Sequence, residues 1–146
     1  MLKIAEMEAM MLNKLELISG LKTVDIYIGK IEDALSGSMK LPAALLVYSG
    51  AKADLQTEGG RGLLYNVDFR FTVFIAGKSL KSRKEAGESI KTILEDVRGS
   101  LNGLQQGSAT LIWEEEGLEV MTKTGVVIYS QHYKCREALT AKRSNV

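Results

Sequence analysis

Residues 65–75 alternate with a period of two: Tyr65, Val67, Phe69, Phe71, Val73 and Ile75 against Asn66, Asp68, Arg70 and Thr72. Successive strand side chains point to opposite faces, so this pattern demands a sheet strand with one buried and one wet face. Val, Phe, Tyr and Thr suit such a pleated, half-buried surface. Ala76-Gly77-Lys78-Ser79 breaks the pattern, and from Ser82 the period becomes helical: Ala86, Ile90, Ile93, Leu94, Val97, Leu101. That stripe predicts an amphipathic helix over 82–101 laid on the odd face of the strand. Ser82 and Glu85 fit a capping box at its start. Gly103 stands where a left-handed C-terminal cap is expected.

A chain of 146 residues is long enough to bury a real core in one domain. With 19 Lys+Arg against 18 Asp+Glu, the charge balance makes no global case for nucleic acid or an anionic membrane. The single Cys excludes an intramolecular disulfide and suits a reducing cytoplasm. No apolar run approaches the roughly 20 residues of a membrane-spanning helix. Charges at Lys3, Glu6, Glu8 and Lys14 do not suit a secretory leader.

Ahead of the strand, Leu2, Ile4, Met7, Met11, Leu15 and Ile18 predict a core-facing helix over 2–18. Residues 23–28 alternate as a short strand, 30–35 predict a helical turn or two, and Ser36-Gly37-Ser38 a loop. The run 43–48 after Pro42 predicts a strand buried on both faces. Residues 50–62, polar and glycine-rich, predict a mobile hairpin loop bearing Lys52, Asp54, Glu58 and Arg61. Its Gly59-Gly60-Arg61-Gly62 tip lacks the Lys-Ser/Thr and helix start of a phosphate-binding loop. Lys78, Lys81, Arg83 and Lys84 form the one basic cluster, a candidate anion contact or a solvated loop. Beyond the helix, strands are predicted over 110–113, 118–122 and 125–136, with Glu114-Glu115-Glu116-Gly117 as a solvated acidic turn. A single domain over 1–137 and a frayed tail over 138–146 complete the reading.

Little in the chain points to catalysis. His132 and Cys135 lie three apart on a predicted strand and face opposite ways, which breaks a Cys–His dyad. Adjacent carboxylates on a strand do not converge on one ion, and the soft ligands of a zinc site are too few. No cofactor is implied.

The stretches LPAALLVYSG (41–50), RGLLYNVDFRFTVFIAG (61–77) and RKEAGESIKTILEDVRGSL (83–101), with the strands over 109–136, carry a resemblance. In layout they resemble the small tail-assembly proteins of Mu-like prophages and the tail terminator or tail completion proteins of other long-tailed phages. The resemblance implies an α+β fold: a mostly antiparallel sheet with an N-terminal helix and one long amphipathic helix on one face. It implies a structural, non-enzymatic role, with subunits forming a ring, usually hexameric, that caps the tail tube and joins it to the head. The implied partners are the tube protein and head-connector proteins. The implied setting is the host bacterial cytoplasm during assembly and then the virion tail. Neither a small-molecule substrate nor a membrane is implied, and direct DNA contact is open but not indicated. The candidate interface residues are Lys52, Asp54, Glu58, Arg61, Lys78, Lys81, Arg83 and Lys84. The alternative is a stand-alone α+β ligand-binding domain, or an enzyme with a carboxylate site assembled by folding.

Overall fold

The computed structural model describes residues 2–29, 39–59, 62–78, 83–122 and 125–141, without the side chains of 58, 59 and 83–88. The elements run α1 (Ile4–Glu16), β1 (Thr23–Ile26), β2 (Ala43–Gly59), β3 (Gly62–Lys78), α2 (Arg83–Leu101), β4 (Gln105–Gln106), β5 (Ala109–Thr110), β6 (Ile112–Met121) and β7 (Val126–Ala141). The main sheet has the order β1-β2-β3-β7-β6, and β4 and β5 form a small hairpin. Only the β1–β2 pairing is parallel; β2–β3, β3–β7 and β6–β7 are antiparallel. The fold is the expected α+β arrangement of a mostly antiparallel sheet, with two helices among the described residues.

The period-two pattern holds for the face toward the helices, whereas on the face expected to be wet only Arg70 is exposed and Asp68 and Thr72 are buried beneath neighbouring polar side chains. Val67, Phe69, Phe71, Val73 and Ile75 of β3 are buried in one core with Ile90, Ile93, Leu94, Val97 and Leu101 of α2. Met7, Met11 and Leu15 place α1 in the same layer, so the methionine stripe is core. Gly103, with φ of 90°, ends α2 as a left-handed cap, and its amide is received by the Leu111 carbonyl at 2.7 Å. Gly77 permits the close packing of α2 on β3, since a Cβ there would lie 2.9 Å from Ile90 Cδ1. The run 43–46 is buried on both faces, with Ala44 and Leu46 toward the helices and Ala43 and Leu45 away from them.

Three expectations are corrected. Residues 50–59 and 62 onward are not a loop: they continue β2 and β3 into one long hairpin, paired from Ala43↔Ala76 to Gly59↔Gly62. Polar residues and glycines hid the strand, because pairing with the strongly patterned β3 overrides its weak local preference. Bulges interrupt the pairing between Tyr48 and Gly50 and between Leu55 and Thr57; Gly50, with φ of 114°, takes a conformation costly for other residues. Second, Glu114-Glu115-Glu116 is not a turn. It lies inside β6, which joins the two short strands expected over 110–122. Third, residues 138–141 belong to β7 and pair with Leu63 to Asn66 of β3. The expected features of 30–38, the Ser82 cap and 142–146 lie outside the described residues.

Candidate assembly interface

Beyond the helical layer the hairpin continues as an arm. Residues 51–57 of β2 are exposed. The arm has a third strand, because β7 follows β3 to Ala141. Counting from the bulges, Ala51, Ala53 and Leu55 of β2 share the helix-side face with Tyr65 and Val67 of β3 and Leu139 of β7. Leu55 is 48% exposed there. Lys52 and Asp54 lie on the opposite face, facing across the sheet to Asp68 and Asn66.

The expected site residues separate into two groups. Lys52 and Asp54 are exposed neighbours on one face of the arm. Glu58 is in β2, with its side chain outside the described residues, and Arg61 lies outside them entirely. Lys78 is exposed at the far end of β3. Arg83 and Lys84 open α2, with side chains outside the described residues, as Lys81 is altogether. Lys78 stands sixteen residues from Gly62 along β3, about 50 Å of extended chain. Lys52 and Asp54 of the arm and Lys78 are therefore at opposite ends of the sheet, not in one patch.

The face away from the helices carries an ordered polar array that periodicity alone did not reveal. Arg136 donates to both carboxylate oxygens of Asp68, at 2.8 and 3.1 Å. This hydrogen bond, reinforced by the charges of Arg136, Lys134 and Arg70, holds the Asp68 carboxyl below its ordinary range against the opposing effect of burial. Glu114 lies 3.6 Å from Arg70 and 3.7 Å from Lys134. Across the middle of the sheet runs a chain of hydrogen bonds. Ser49 Oγ meets Thr72 Oγ1 at 2.6 Å, Thr72 meets His132 Nδ1 at 3.2 Å, His132 Nε2 meets Ser130 Oγ at 3.1 Å, and Ser130 donates to Glu119 at 2.5 Å. Ser130 gives its one hydroxyl proton to Glu119, so it accepts from the Nε2–H of His132. The carboxylate touches the serine and not the histidine, so this is not the base-and-orienter order of a nucleophilic triad. It ties four strands together.

Beneath α2, Gln131 donates to the Leu94 carbonyl at 2.9 Å and to Glu116 at 2.7 Å, and receives the Tyr133 hydroxyl at 2.6 Å. Burial first, then the Glu116 charge, pushes the Tyr133 phenol well above its ordinary value. Burial likewise pushes the Cys135 thiol up to about 11. Cys135 faces the core and His132 the other side of the sheet, as their spacing requires. Glu114 and Glu116 also diverge, one to Arg70 and Lys134, the other to Gln131. The Arg98 guanidinium lies 4.9 Å from the Trp113 ring centroid. No helix among the described residues is long and apolar enough to cross a membrane.

Comparison with known families places this architecture. The model for the family Bacteriophage Mu, Gp37 matches residues 3–136. The chain belongs to that family. The resemblance to Mu-like prophage proteins holds on this match, which spans the two described helices and the described strands up to residue 136 of β7. Among solved structures, a chain from the virion of a native gene transfer agent particle is similar, with a TM-score of 0.52 at 11% identity. The match covers 88% of this chain and 92% of that one. At that identity the likeness concerns the fold. No curated protein sequence matches this Gp37 family member.

Proposed function

We propose that this chain is a structural virion protein of a phage or prophage tail: a terminator or completion subunit that forms a hexameric ring, caps the tail tube and joins it to the head. Membership of the Mu Gp37 family over residues 3–136 carries this reading. The fold shared with a chain of a gene transfer agent virion supports it. The polar groups with the most organised geometry link strand to strand, which suits a structural role. No catalytic residue and no cofactor enter the proposal.

The working surfaces are the two ends of the sheet. Lys52 and Asp54 are exposed on the arm and Lys78 at the opposite end of the sheet; Glu58, Arg61, Lys81, Arg83 and Lys84 complete the proposed interface. Subunits repeating around an axis place unlike patches in contact, and complementary charge steers such contacts. The tube protein and head-connector proteins are the remaining partners, met in the bacterial cytoplasm during assembly and retained in the virion.

The test is a phage or prophage lacking this chain, examined by electron microscopy. Tails of irregular length and unjoined heads are expected, with rescue by the full chain. Normal, joined particles without it would refute the proposal. A chain with the arm shortened across 52–61 should fold yet fail to rescue; full rescue would remove the arm from the mechanism.

A further inference from the structure

Two strand edges of this sheet are open among the described residues. β1 covers the edge of β2 only over 43–46, so β2 is unpaired on that side from Val47 onward. β6 is the last strand at the other side. Asn102 covers its start, accepting the Trp113 amide at 2.9 Å, and leaves the edge open from Glu114 to Met121. Open edges are templates for a further strand. Here the two edges match in direction. β2–β3, β3–β7 and β7–β6 are each antiparallel, so β2 and β6 run oppositely within a subunit. A second copy, rotated about an axis lying along the strands, therefore offers its β2 edge to β6 in antiparallel sense with the same face outward. The contact repeats to a third copy and can close on itself.

We propose that β6 of one subunit pairs antiparallel with β2 of the next, residues 115–120 against 52–47. This rests on the ring reading and specifies its interface. The register follows from facing and bulges. Glu115, Gly117 and Val120 share the face away from the helices, as do Lys52, Gly50 and Val47, while Glu116 and Leu118 share the helix side with Ala51 and Tyr48. Pairing Glu115 with Lys52 sets Gly117 on Gly50, Leu118 on Tyr48 and Val120 on Val47. The bulges between Leu118 and Val120 and between Tyr48 and Gly50 keep every residue on its own face. β6 ends at Met121, so the pairing stops where β1 takes over the β2 edge at Leu46. Leu118, 52% exposed in the subunit, gains an aromatic neighbour. Glu115 and Lys52, neither of which has an ion-pair partner among the described residues, face each other. The competing two-fold contact of β6 with itself would bring Glu115, Glu116 and Glu119 of two copies together, and like charges across strands destabilise. A two-fold contact of β2 with itself would leave both β6 edges open.

The test uses the full chain with Lys52→Cys and Glu115→Cys made singly, mixed and oxidised at concentrations where native mass spectrometry shows the unmodified chain assembled. Disulfide-linked pairs should form in the mixture and in neither protein alone, and the doubly substituted chain should give a ladder ending at the ring. Bridging of Glu115→Cys to itself would overturn the proposal in favour of the two-fold contact. As a check on folding, Glu115→Lys should weaken association roughly five-fold per contact, and adding Lys52→Glu should restore it. A charge swap with no such effect counts against the register. Rings without the 52–115 bridge would overturn the edge pairing and leave the ring reading standing. A chain that stays monomeric both free and with assembling tails would overturn both.

Discussion

Truncating Leu94 to alanine tests the layer that organises the molecule. Leu94 is 4% exposed and sits among the buried residues that join α2 to β3. The substitution removes three carbons, and at about 0.8 kcal/mol per buried carbon the transfer loss is about 2.4 kcal/mol. The hole left behind adds to this, and helix-forming alanine returns a few tenths, which brings the expected loss to about 3 kcal/mol within the ~2–5 kcal/mol range of such changes. The backbone contribution should survive, because Gln131 donates to the Leu94 carbonyl and not to its side chain. At 146 residues the melting temperature should fall by roughly 6–12 °C. Urea unfolding followed by circular dichroism gives the free energy directly, through a lower midpoint at unchanged slope. Glu95→Ala, one residue along on the exposed side of the helix, is the control and should stay within about 0.5 kcal/mol. A Leu94→Ala loss below about 1 kcal/mol would show that this stripe is not core.

Tyr133→Phe should cost about 1–2 kcal/mol in the same urea assay, because the Gln131 side-chain oxygen loses its buried donor; a neutral change would mean that the Gln131 network does not hold α2 to the sheet. Asp68 has a folded pKa below its unfolded one, so its contribution to stability is complete above the ordinary carboxylate value of about 4 and is lost as pH falls through the depressed value. Wild type should therefore lose more stability than Asp68→Asn on acidification from neutral pH to below 4, and equal losses would contradict the ion pair's role. Cys135, with its thiol pushed up to about 11, should resist alkylation at pH 8 in the folded protein and react on unfolding in urea. Above the ordinary thiol value of about 8.5 the same burial should destabilise the fold, progressively up to pH 11.

Much of the fold was legible because local patterns and final environment agree. The alternation over 65–75, the stripe from Ile90 to Leu101 and the Met7-Met11-Leu15 face each fix which side meets the core, whatever they pack against. Gly103 marked its turn, since few other residues tolerate the left-handed conformation that it adopts. Residues 50–59 carried no such signal. Their side chains are mostly exposed, so burial selects no period, and they are a strand because β3 lies beside them with its hydrogen-bonding groups to satisfy. The same cause made Glu114-Glu115-Glu116 resemble a turn: carboxylates are rare in strands, but here Arg70, Lys134 and Gln131 from β3 and β7 receive two of them. Composition also showed one histidine without its surroundings. Only the register of four strands brings Ser49, Thr72, His132, Ser130 and Glu119 into line. Periodicity along one strand determines the face of each residue; which residues of other strands share that face is set by long-range pairing, and that pairing also decides which two edges are open among the described residues.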